Sequence, residues 1–195
     1  MCDESRWKLI YQDESVTAFK TAGEGGAILK GVATIPNISF QDFIKISETD
    51  EPQLRIQSSL EPDCLYMQIV EQFTPERCLS HAIVASRTPF ISNRDVLIVR
   101  GHSKRESDGS CEIVGTSVPA NSEYQSKYPV DSSNVRGDLK FLYWHLLQQG
   151  EHLLCTYITQ FDPCGYIPTW VSDQFSLSQA IYPKRYKEYF QNVHN

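Results

Sequence analysis

The chain has 195 residues, 41% of them hydrophobic and 22% charged, with a net charge of −6. A chain of this length buries roughly 70% of its unfolded surface, so it needs no disulfide or metal staple. The acidic balance, with no Lys/Arg stripe, argues against nucleic acid, and no apolar run approaches the ~20 residues of a membrane span.

Alternating and β-branched stretches dominate from the start. "WKLIY" (7–11) and "SVTAFKT" (15–21) read as two strands joined by a polar turn. "GEGG" (23–26) lacks the helix and Lys of a phosphate loop and reads as a hairpin turn into the strand "AILKGVATI" (27–35). The period then changes. Ser39 can cap a short helix with Asp42 at its third position, and Phe40, Phe43, Ile44 and Ser47 fall on one stripe.

Further strands are expected at 54–60, 64–73, 78–85, 95–101 and 110–118, several separated by "EPD", "TPE" and "SDG" turns. "DLKFLYWHLLQQG" (138–150) fits a helix or a doubly buried strand equally well. "EHLLCTYITQF" (151–161) is a clearer strand. Trp170, Val171, Gln174, Phe175, Ser178, Ile181 and Tyr182 then recur at helical spacing, with Pro168 at the start and Pro183 expected to end or kink the helix. Tyr186, Tyr189, Phe190 and Val193 extend the stripe by a turn or two. The pattern is a single domain over 1–195 of the α+β class.

The six cysteines, Cys2, Cys64, Cys78, Cys111, Cys155 and Cys164, contain no C-x-x-C pair. With a polar "MCDESRWKLI" start, this predicts free thiols, a cytoplasmic location and no metal. There is no G-x-S-x-G, H-E-x-x-H or G-x-x-x-x-G-K-[ST] motif, and His81, His102, His145, His152 and His194 show no ligand spacing. Binding is therefore expected rather than catalysis, with no cofactor. Lys184, Arg185 and Lys187 form a basic cluster that suits either a solvated helix face or contact with a membrane surface.

"FISNRDVLIVRG" (90–101) resembles the signature strand of the StAR-related lipid-transfer (START) domains. "SSNVRG" (132–137), "TYITQFDPCGYIPTWV" (156–171), "KGVATI" (30–35) and Trp7 match that family in type and order. The resemblance implies a helix-grip (START/Bet v 1-like) fold, in which a curved antiparallel sheet wraps a long C-terminal helix around an internal hydrophobic tunnel. It also implies that 138–150 is a strand. The implied function is to bind one lipid and carry it between membranes, as a monomer that touches membranes transiently. A phospholipid, sterol, ceramide or fatty acid would each suit the family. The alternatives are an enzyme on the same fold, of cyclase or hydratase type, which needs an acid–base pair in the cavity, or a module that senses lipid without moving it.

The resemblance implies a gate formed by the helix at about 168–182 and the 87–93 loop, with Phe90, Ile91 and Asp95 as gate residues. Its implied ligand contacts are Arg55, Glu71, Arg94, Tyr157, Trp170 and Phe175. The family's R-x-x-W-D element is only partly kept in "QLRIQSSL" (53–60). Arg55 is present, but Ser58 and Ser59 occupy the Trp and Asp positions. Arg94 and Asp95 are neighbours on a strand, so their side chains take opposite faces. Arg94 is expected to face the cavity, held by a carboxylate for which Glu71 is the candidate, while Asp95 braces the sheet or the gate loop. The other reading has both residues simply tying loop to strand.

Overall fold

The computed structural model describes residues 6–47 and 60–193. The chain opens with a three-stranded meander, β1 (Lys8–Gln12), β2 (Thr17–Gly23) and β3 (Gly26–Pro36). Helix α1 (Phe40–Ser47) follows. Ser39 caps it as expected: its hydroxyl accepts from the Asp42 N–H at 3.2 Å, and the Asp42 carboxylate accepts from the Ser39 N–H at 3.1 Å. The strand expected at 54–60 lies almost wholly outside the described residues.

The second half of the sheet comprises β4 (Cys64–Thr74), β5 (Arg77–Val84), β6 (Asn93–Lys104) and β7 (Cys111–Ser117). A one-turn helix, α2 (Glu123–Lys127), and a short strand, β8 (Asn134–Arg136), precede the long strands β9 (Asp138–Gln149) and β10 (His152–Asp162). Residues 138–149 are thus a strand, buried in alternation against β7 and β10. The sheet order is β1-β2-β3-β10-β9-β7-β6-β5-β4, and every neighbouring pair on that path is antiparallel. Only β8 departs from it, pairing parallel with the first residues of β6.

The expected C-terminal helix is two helices, α3 (Thr169–Ala180) and α4 (Tyr182–Val193). They break at Ile181, two residues before the ring of Pro183, which cannot donate into a continuous helix. Helix α4 buries Tyr182, Pro183, Tyr186 and Phe190, whereas α3 buries only Ala180. The grip is therefore tight at α4. Phe43 of α1 stacks on Tyr186 at 4.3 Å, and Trp144 of β9 packs against Tyr157 at 4.6 Å and Tyr182 at 5.7 Å. Aromatic rings carry the largest apolar areas per residue, so this cluster is the main core.

The helix junction approaches the sheet at Gly31 of β3. A Cβ there would lie 2.2 Å from the Ala180 carbonyl oxygen and 2.9 Å from Cδ of Pro183. Only a residue without a side chain admits the helices this close.

Candidate functional site

Between α3 and the concave face of β4–β6 lies a cavity of about 250 Å³, whose walls include Val84, Ile91, Arg94, Val171, Phe175 and Arg185. A deeper chamber of about 130 Å³ is lined by Met67, Arg100, Trp144, Tyr182 and Tyr186, and Glu61 borders both. Strand alternation explains the wall. Arg94, Ile98 and Arg100 of β6 point inward, while Leu97 and Val99 pack on the outer face beneath Tyr124 and Tyr128.

Arg94 is 7% exposed. Its Nε donates to the Pro163 carbonyl, Nη1 to the Ser92 carbonyl and Nη2 to the Cys164 carbonyl at 3.1 Å. It thereby staples the 163–167 loop to the strand entrance. No carboxylate among the described residues pairs with it, and burial lowers its pKa from the ordinary arginine value. The other charges of the wall are engaged. Arg87 Nε meets Asp63 at 2.5 Å, Glu61 accepts from the Tyr182 hydroxyl, and Arg185 donates to Ser178 Oγ at 2.6 Å. Arg100, deeper, donates to the Ser47 carbonyl at 2.6 Å and to Ser80 Oγ at 3.0 Å.

Asp95 is 2% exposed and occupies the outer face. His81 Nε2 lies 2.8 Å from one carboxylate oxygen and Arg136 Nε 3.0 Å from the other. The ring of His81 sits between Tyr66 and Tyr128. This is a His–carboxylate pair, but it faces away from the cavity and so is not the acid–base pair that a reaction in the cavity would need.

Several expected positions require correction. Glu71 does not hold Arg94: it accepts from Lys127 Nζ at 3.0 Å and from the Tyr124 hydroxyl at 3.3 Å, both on α2 over the outer face. Trp170 is 58% exposed in the first turn of α3 and does not border the cavity. Tyr157 is buried in the aromatic core, with its hydroxyl 3.4 Å from Gln179 Oε1, and lies behind the cavity wall. Asp95 belongs to β6, where its carboxylate meets His81 of β5 and Arg136 of β8. Phe175 borders the cavity and also a larger open groove of about 930 Å³ across α3, beside Lys8, Lys20 and Phe161. Phe90 is fully exposed at a positive φ of 66°, and Ile91 turns into the cavity. Arg55 lies outside the described residues.

Of the cluster 184–187, Lys184 binds Asp13 at 2.6 Å and Lys187 donates to the Glu14 carbonyl, both on the β1–β2 turn. Glu61, Arg100 and Arg185 were not expected in the wall. Arg100 had a legible signal, since it lies an even number of residues from Arg94 on one strand. Glu61 and Arg185 arrive through loop and helix packing, for which the sequence carries no period.

A curved antiparallel sheet closed by C-terminal helices over a cavity is the helix-grip architecture. The family model described as START domain matches residues 59–194, and the chain belongs to that family. Human StAR-related lipid transfer protein 5 superposes with a TM-score of 0.80 at 18% identity, covering 100% of this chain and 90% of that one. A STAR-related lipid transfer protein from Xanthomonas axonopodis gives 0.76 at 18% identity, covering 97% and 99%. Human STARD10 gives 0.75 at 20% identity, covering 97% and 74%. No curated protein sequence matches the chain.

Proposed function

We propose that the chain binds one lipid-like amphiphile in the cavity under α3 and carries it between membranes. The observation that carries this reading is a cavity whose rim bears solvent-facing aromatics. Phe90 is fully exposed, Tyr166 is 90% exposed and Trp170 is 58% exposed. They stand on the 86–92 loop, the 163–167 loop and the start of α3, and Arg94 ties the two loops together. Tyr and Trp favour the membrane–water interface, so this rim is suited to rest on a bilayer while the ligand passes.

The energetics of transfer require a dry pocket. Each buried methylene is worth ~0.8 kcal/mol, so a lipid leaves the bilayer only for a site of similar dryness. The two states nearly balance, and opening of the gate then sets the rate. Helix α3, of which only Ala180 is buried, is the element suited to move. No observation favours the enzyme alternative, since the buried His81–Asp95 pair lies on the far face of the sheet.

The test is transfer of a fluorescent lipid between donor and acceptor vesicles. The triple variant Phe90→Ser, Tyr166→Ser, Trp170→Ser should fold normally, because these side chains are exposed, and should transfer about tenfold more slowly. Unchanged transfer by the folded variant would remove the rim from the mechanism. Binding without vesicle-to-vesicle transfer by the unaltered chain would instead favour a lipid sensor.

A further inference from the structure

Resting on the reading of the cavity as a lipid site, we propose that its ligand is a single-chain amphiphile ending in a carboxylate, about ten to fifteen heavy atoms in all. Two independent observations carry this. The first is size. A 150 Å³ apolar cavity holds one benzene, so with α3 seated as it is here the 250 Å³ cavity admits roughly ten heavy atoms, and the separate 130 Å³ chamber beyond Glu61 would raise this to about fifteen. Two acyl chains of roughly 30 methylenes need about twice that space. A sterol's fused rings exceed it as well. The space is closed at its inner end by Trp144, Tyr182 and Tyr186, which pack on one another and on Phe43.

The second observation is charge. Arg94 is a buried guanidinium with three carbonyl partners and no carboxylate among the described residues. Carbonyls satisfy hydrogen bonds but leave the positive charge unneutralised, and a buried charge is costly unless paired. Five N–H bonds on the group less the three engaged leave one on each terminal nitrogen, the donor set that grips a carboxylate in bidentate fashion. Arg87 is paired with Asp63, while Arg100 and Arg185 have uncharged partners as Arg94 does but are less buried than it. The carboxylate therefore belongs on Arg94, with the chain running along Val84, Val171 and Phe175.

Isothermal titration calorimetry with decanoate and decanol tests the assignment on the unaltered chain. Decanoate is expected to bind one to one and about tenfold or more tighter than decanol. The variant Arg94→Gln should weaken decanoate binding about tenfold more than it weakens decanol binding, so that the preference for the carboxylate disappears. Equal affinity of the unaltered chain for the two would overturn the role of charge, whether or not the variant folds. Native mass spectrometry after incubation with vesicles of dioleoylphosphatidylcholine and cholesterol supplies the other arm. Stoichiometric uptake of either lipid, not displaced by decanoate, would overturn the size class and leave lipid binding standing. If nothing binds in either assay, the lipid reading itself falls.

Discussion

Arg94 and Asp95 are consecutive residues, both buried, yet they answer to different constraints. Arg94 donates to three backbone carbonyls on the cavity side. Asp95 is the one carboxylate among the described residues that pairs with Arg136, and it also meets His81 on the outer face. Replacing it should therefore affect stability and not the ligand. Asp95→Asn is expected to cost about 3 kcal/mol in urea unfolding, because the partly buried Arg136 charge loses its counter-charge. Ligand affinity per folded molecule should stay as it was, and a matching loss of affinity would show that the outer face governs the cavity. That Arg94 and Asp95 take opposite faces was legible from simple alternation along β6, but which of the two turns inward was not. Nor was the position of Glu71, because β4 carries register shifts between Cys64 and Tyr66, between Ile69 and Glu71, and between Gln72 and Thr74. Each bulge resets which face a residue takes, and nothing in "CLYMQIVEQF" marks the extra residue.

At the scale of elements, the two C-terminal helices divide the labour of anchoring and opening. Helix α3 has no side-chain cap at Pro168 and one buried residue, and α4 has four. Amide hydrogen exchange should consequently be faster across 170–180 than across 183–193. Equal protection of both would leave no element free to open the cavity. Apolar residues recur at helical spacing through both segments, Trp170 among them. Spacing identifies a stripe but cannot say whether the facing layer is present. Helix α4 gains a further anchor where Lys184 reaches the β1–β2 turn. The Lys184 ammonium holds the Asp13 carboxyl well below the usual carboxylate range, helped by the Tyr11 hydroxyl and the N–H groups of Ser15 and Val16. A depressed carboxylate stabilises the fold above its unfolded pKa, and that contribution is lost as pH falls through the lower, folded value. Below about pH 4 the natural chain should begin to lose this tie, and Asp13→Asn should lack it at every pH. Melting temperatures across pH 2–7 test this: the variant should melt lower at pH 7, and the difference should shrink toward pH 2.

For the molecule as a whole, the class of fold was readable from strand periods and turns, and the order of the signature segments supplied the closure around the C-terminal helices. The volume of the cavity was not readable. It depends on how far Trp144, Tyr182 and Tyr186 fill the interior, which is a property of three distant segments meeting. One further consequence follows from the pairing of β3 with β10. The meander β1–β3 joins the rest of the sheet only through residues 152–159, registered on 29–36. During synthesis the first three strands therefore leave the ribosome more than a hundred residues before their partner exists. The opposite half, β4 to β7, can pair as it emerges. The edge of β3, rich in Ile, Leu and Val, must wait uncovered, so the growing domain is exposed to aggregation or chaperone capture at this edge, and β10 is the strand that ends that interval.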